Sequence, residues 1–252
     1  MKAELAALCD EFYTTTRLAM KLGLSMERES TLHFFDRVRR EYPSMCRFRR
    51  RDDNVLVLEE NEEEDEGPRR WLRLDRQTFR FGYVAPSRQE DVIDYGQFLL
   101  HQAPPHLTLS DLDIDYLEVV FGFDMEYSGN HDQLVADTLF GDHPMASFIN
   151  GPHAAHMIDC QPCFGIALSS DCHEQAYIEI KSRTSSFEVR TEQFDAQVLS
   201  VYLTIRRYWP GATPVTLPEA YLDMQRTAHE LAVDQVVPLW VNPLAQAIAS
   251  RP

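Results

Sequence analysis

The stretch HAAHMIDCQPC, residues 153–163, sets His153, His156, Cys160 and Cys163 within eleven residues, and Cys172 and His173 follow soon after. Imidazoles and thiolates are the ligands zinc takes, and a C-x-x-C spacing lets two sulfurs grip one ion. Pro162 and Gly165 suit a tight knuckle, and His153 and His156 share one face if Pro152 opens a helical turn. A zinc site, by itself or as the centre of a metallohydrolase, is therefore one reading. Against it, four ligands drawn from one short segment strain a tetrahedron, and a single C-x-x-C is a weak signal. A redox pair needs a helix N-terminus to stabilise its thiolate, yet the FGIALSS after Cys163 has the pattern of a strand. The simpler expectation is a loop without a ligand.

Other catalytic signatures are missing. There is no G-x-x-x-x-G-K-[ST] loop, no G-x-G-x-x-G after a strand and no G-x-S-x-G elbow. HEQAY, from His173, and HELAV, from His229, begin like H-E-x-x-H but lack the second histidine. DLDIDY, residues 111–116, opens like a calcium loop, but Tyr116 stands where the turn needs glycine. Asp124 and Glu126 share one side of a strand and could pair for acid–base work; a solvated strand face is the simpler reading.

These residues must be held by the elements around them. Residues 3–22 read as a first helix. A second follows, capped by Ser25, with Leu32, Phe35, Val38 and Tyr42 at helical spacing and a stop at Pro43. CRFRRRDDNVLVLEE reads as a hairpin turning at Asp52, Asp53 and Asn54, and RRWLRLDRQTFRFGYV as a second hairpin turning near residues 75–77. Eight arginines crowd them: Arg47, Arg49, Arg50, Arg51, Arg69, Arg70, Arg73 and Arg76. A basic sheet face is conceivable; pairing with nearby acids is the simpler expectation. Residues 90–102 read as a helix ended by Pro104 and Pro105. YLEVVFGFDMEY is the clearest strand, with Leu117, Val119, Phe121, Phe123 and Met125 on one side by period two. Asn130 caps a helix to Phe140. CFGIALSS, QAYIEIKSRTSSFEVR and VLSVYLTIRRYW read as a three-stranded meander, and a helix from Pro218 to about Val233 precedes a short amphipathic tail.

The 252 residues are 44% hydrophobic, enough for a sizeable core. The formal net charge of −16 opposes nucleic-acid and anionic membrane partners. EENEEEDE, residues 59–66, holds seven acids and no base, and reads as a solvated loop between the hairpins. No signal peptide or membrane span is visible, and five cysteines, an odd number, suit a reducing cytoplasm.

RLAMKLGL, FFDRVRREYPSM, FGFDMEYSGNHDQLVADTLF, RTSSFEVRTEQFD and VYLTIRRYW together make the chain resemble a family of conserved hypothetical proteins from bacteria, planctomycete-like in character. The resemblance covers most of the chain. Such proteins have no assigned activity, so it implies no catalytic residues.

The sequence thus predicts one α+β domain over residues 1–252, with a weak subdivision near 141–160. A mostly antiparallel sheet of short meandering strands packs helices from the N-terminus, middle and C-terminus. The function expected is that of a cytoplasmic, non-catalytic protein-interaction module, pairing with another protein or with itself and needing no cofactor. The alternatives are a zinc protein centred on His153, His156, Cys160 and Cys163, and a small-molecule binding module.

Overall fold

The computed structural model describes residues 5, 9–51, 53–61, 67–149, 151–153, 156–211 and 215–251. Along the chain come β1 (Glu11–Met20), α1 (Arg28–Glu41), β2 (Arg47–Arg50), β3 (Leu56–Glu59), β4 (Arg69–Leu74), β5 (Thr78–Val84), α2 (Gln89–Leu107), β6 (Ile114–Tyr127), α3 (His131–Phe140), α4 (Ala146–Ile149), β7 (Cys163–Ala167), β8 (Glu174–Lys181), α5 (Ser186–Thr191), β9 (Gln197–Tyr208) and α6 (Leu217–Leu231). A π-helical segment, Ala232–Val241, leads into α7 (Asn242–Ala249). The strands form one nine-stranded sheet in the order β2-β3-β4-β5-β1-β6-β9-β8-β7. Every pairing is antiparallel. The α+β architecture expected from sequence is the one observed.

One side of the sheet carries the core. Leu117, Val119, Phe121 and Phe123 of β6 are fully buried, as the alternation requires. Leu199 and Val201 of β9 join them, with Phe12 and Leu18 of β1. The helices supply aromatic rings to the same side. Phe34 of α1 meets Phe79 edge-on, while Tyr95 of α2 and Tyr221 of α6 both reach Phe81. Tyr221 buries its hydroxyl by donating to the Val92 carbonyl at 3.0 Å.

The first helix expected, over residues 3–22, is corrected by β1. Residues 1–4 and 6–8 lie outside the described residues, but 11–20 form a strand near the middle of the sheet, paired with β5 and β6. Thr14, Thr15 and Thr16 are stiff at χ1 and favour extended backbone. Two neighbouring strands satisfy the N–H and C=O groups on both sides of it, which outweighs the helix preference of RLAMKL.

Smaller corrections follow the same logic. Ser25 is not the cap of α1; Glu27 occupies that position without a side-chain cap. Pro104 and Pro105 lie inside α2, not beyond it. They cannot donate to the Leu100 and His101 carbonyls four residues back, yet the helix runs on and closes where Thr108 turns left-handed and donates its N–H to the Pro104 carbonyl. The last part of QAYIEIKSRTSSFEVR is helical: β8 ends at Lys181, and Ser185 and Glu188 form a capping box that starts α5. The Asn130 cap of α3 is as expected, accepting from Gln133 N–H at 3.1 Å.

The acidic run is not solvated at its start. Glu59 ends β3 and is 9% exposed, with Arg49 at 2.8 Å. Glu60 accepts from the Arg70 N–H at 2.6 Å and from its guanidinium at 3.0 Å. Residues 62–66 lie outside the described residues. No helix among the described residues is long and apolar enough to cross a membrane.

Glycines on the open side of the sheet sit under aromatic rings from neighbouring strands. A Cβ at Gly122 would lie 2.4 Å from the Tyr13 ring, and one at Gly82 would lie 2.6 Å from Trp71. Tyr13 is pinned by a hydrogen bond to the Tyr202 hydroxyl at 3.2 Å, so it cannot swing clear freely. Gly122→Ala should therefore destabilise the protein by about 1–3 kcal/mol, the usual range for overpacking. Glu60→Ala should also lower stability, by about 1–3 kcal/mol, because it strands the Arg70 donors. A short Gly-Ser replacement of residues 62–66 should stay within about 0.5 kcal/mol. Urea unfolding midpoints check all three.

Candidate functional site

The His153–Cys163 stretch is tied down by α3. Asp132, 1% exposed, accepts the Cys160 N–H at 2.8 Å and the Ser182 hydroxyl at 2.8 Å. Asn130 donates to the Met157 carbonyl at 2.8 Å, and Gln133 accepts the Met157 N–H at 3.2 Å. His153 and His156 are exposed, Cys160 is half-buried, and Cys163 is exposed on β7. His156 faces Glu192 at 3.9 Å. Among the described residues, no three His, Cys, Asp or Glu side chains converge as a metal would require. Burial, with Asp132 and Asp159 nearby, pushes the Cys160 thiol up to about 11. Burial likewise pushes Cys9 up to about 12. Neither therefore offers a thiolate near neutral pH.

The near misses resolve locally. His173 Nδ1 lies 2.9 Å from Asp171 at the β7–β8 turn, and His229 sits in the last turn of α6. Asp111 accepts from the Trp209 indole at 3.2 Å, and Asp113 closes a turn with Ser110. Asp124 does lie on the open side. Burial raises its pKa, and its register partners are Glu11 and Ser200. Burial, then the Tyr202 hydrogen bond, raises the phenol of Tyr13 beside it.

The open side of the sheet holds a feature that follows from register. Arg49 on β2 is opposite Val57, Val57 opposite Arg73, Arg73 opposite Arg80, and Arg80 opposite Arg17 on β1. Beyond Arg17 come Glu118 and Arg206. One line across the sheet thus carries Arg49, Arg73, Arg80, Arg17 and Arg206, with neighbouring strands about 5 Å apart. Glu118 is committed to Arg206, with oxygen–nitrogen distances of 2.8 and 2.5 Å. Glu59 serves Arg49 from the adjacent row. Among the described residues, Arg73, Arg80 and Arg17 form no ion pair.

Aromatic rings hold Arg73 and Arg17 in place of acids, and hold Arg206 in addition to Glu118. Arg73 lies 4.9 Å from the Trp71 ring, and Arg17 and Arg206 lie 5.5 and 4.8 Å from the Tyr116 ring. Such contacts keep a cation near the surface without neutralising it. Burial lowers the Arg73 pKa, the charges of Arg51, Arg49 and Arg80 add to the effect, and Glu59 opposes it. The Nε atoms of Arg17 and Arg73 are buried without a hydrogen-bond partner.

Pairing with acids, the simpler expectation for the hairpin arginines, thus describes Arg47 and Arg49 with Glu59, Arg69 with Glu11 and Arg70 with Glu60. It does not describe Arg73. The sequence expectation also omitted Arg17, which lies in the segment read as helix, and Arg80. A period-two reading of residues 11–20 would have put Arg17 beside Tyr13 and Thr15 on the solvent side.

No protein-family model matches this chain, and no curated protein matches it.

The anchor beside α3 gives a pH test. His131 is 1% exposed. Its Nδ1 accepts the Arg183 N–H at 3.4 Å, which leaves the Nε2 proton for the Tyr127 carbonyl at 3.1 Å. Burial lowers its pKa from 6.5, against the Tyr127 hydrogen bond and Asp132, which raise it. The unfolded chain then takes up the proton first. Stability is complete above 6.5 and is lost as pH falls through 6.5 towards the lower folded value. Unfolding midpoints should drop between about pH 7 and about pH 5, and the drop should shrink in His131→Asn.

Proposed function

We propose that the chain is a non-catalytic protein-interaction module whose uncovered sheet face receives an acidic segment of a partner protein. The observation that carries this reading is the register row of Arg49, Arg73, Arg80 and Arg17, where Arg73, Arg80 and Arg17 form no ion pair among the described residues, the neighbouring Glu118 and Glu59 being bound to Arg206 and Arg49. Like charges about 5 Å apart repel. An anionic ligand relieves that repulsion, and several charges acting together discriminate partners by complementarity.

An acidic polypeptide suits the surface better than nucleic acid. Sheet faces that bind single strands present bare rings on which bases stack. Here the rings of Trp71 and Tyr116 already carry Arg73, Arg17 and Arg206. The raised thiols of Cys9 and Cys160 further favour a binding role over nucleophilic catalysis.

The test is fluorescence anisotropy with a labelled oligoglutamate peptide and a single-stranded DNA of equal length. The peptide should bind, lose affinity as salt rises, and weaken about tenfold or more in the Arg73→Glu/Arg80→Glu double variant. Tighter binding of the DNA would replace the acidic protein partner with nucleic acid. No peptide binding, or binding indifferent to the double variant, would overturn the assignment to this face.

A further inference from the structure

The two edges of the sheet differ. β2 carries Arg47, Arg49 and Arg50 in a run of four residues, the charged guard that natural edge strands commonly bear. β7, at the other edge, reads CFGIA and has neither a charge nor a proline. All five of its residues are exposed, with Phe164 at 51% and Ile166 at 57%. An unguarded apolar edge is a template for another strand.

The ladder shows which backbone groups are free. β7 pairs with β8 from Cys163 opposite Glu179 to Ala167 opposite Gln175. Ile180 donates to the Pro162 carbonyl at 3.1 Å, and Leu168 donates to the Glu174 carbonyl at 2.8 Å. Inward bonding alternates along an antiparallel strand, so residues 162, 164, 166 and 168 bond to β8. The N–H and C=O groups of Cys163, Gly165 and Ala167 point away from the sheet.

That spacing is complementary to itself. Under a two-fold axis through Gly165, this glycine meets its own copy and Cys163 meets the partner's Ala167. The outward groups then close about six hydrogen bonds. Phe164 falls opposite the partner's Ile166 in a non-hydrogen-bonded pair, the kind in which side chains approach most closely. Both lie on the helix side, where Phe164 stacks edge-on with Trp240 at 5.8 Å. Leu239, 61% exposed, continues the apolar surface from the π-helical segment.

We infer that two copies of this chain pair β7 to β7 antiparallel about Gly165, making one sheet that runs through the dimer. The contact is isologous, so it closes at two copies and does not build a filament. The strand's lack of charge matters because each copy carries −16; the join is made where neither copy presents an acid.

Sedimentation velocity of the full chain at physiological salt, from about 1 to about 100 μM, tests the pairing across micromolar affinities. The wild type should shift from monomer to dimer with concentration. Ile166→Lys puts a cation opposite Phe164 on an exposed position; it should weaken dimerisation by about tenfold or more while far-ultraviolet circular dichroism stays unchanged. In a second variant, A167C, the new thiol should cross-link under mild oxidation to the partner's Cys163, since opposed strand residues stand about 5.5 Å apart between Cα atoms. Adding Cys163→Ser should abolish the cross-link. A wild type monomeric throughout, a dimer undiminished by Ile166→Lys, or a cross-link that survives Cys163→Ser would each overturn the proposal. The arginine face is a separate surface, so Arg73→Glu/Arg80→Glu should leave the dimer intact.

Discussion

Three long neighbouring strands, β1, β6 and β9, bury one side because their inward residues are apolar, save Thr14 and Thr16 of β1. Phe12, Leu18, Phe121, Phe123, Leu199 and Val201 are among these and receive the helices. The same period turns the alternate residues to the opposite side. Tyr13, Arg17, Glu118, Asp124, Tyr202 and Arg206 therefore fall on one shared surface, whatever their chemistry. A one-residue slip in any of these strands would exchange the two sets, so the core and the arginine row are fixed by a single register.

Within that surface, shape and charge are handled by the same rings. Trp71 lies across Gly82 and Tyr13 across Gly122, where a Cβ would collide with them. Laid flat, rings fill the space above the glycines and cover backbone that would otherwise be bare. Trp71 then offers its π-face to Arg73, and Tyr116 does so for Arg17 and Arg206. A ring attracts a cation without cancelling its charge. An arginine–carboxylate pair, such as Arg206 with Glu118, does cancel it. The surface is therefore ordered along its length yet left positive over part of it.

Local signals were enough for elements whose stability is local. Asn130 and its partner three residues on marked the start of α3, and the hairpin turns at Asn54 and Asp75 came from residues that tolerate such backbone. β6 was legible because its alternation is unbroken over many residues. β1 was not, because RLAMKL suits a helix and the evidence against it lies in strands far away in sequence. The arginine row was hidden for the same reason: it needs the registers of β2, β3, β4, β5 and β1 together. The role of the His153–Cys163 stretch was also non-local. Soft ligands drew attention there, while the decisive group is Asp132, an acid inside a helix whose burial nothing nearby in sequence signals.

Charge distribution links the two surfaces. An excess of acids over the whole chain keeps copies apart at long range, yet the sheet's open side has its own basic row, and the β7 edge has no charge at all. Long-range repulsion is screened within about 8 Å at physiological salt, so short-range complementarity decides which surfaces meet. On the open side the proposed match is electrostatic, with the acids of a partner. At β7 the proposed match is main-chain hydrogen bonding with an identical strand, flanked by Phe164 and Ile166. β2, guarded by arginines at the opposite edge, offers neither kind of match to a copy of itself, because its cations would face cations. On the proposed pairing the sheet grows at β7 and stops at β2.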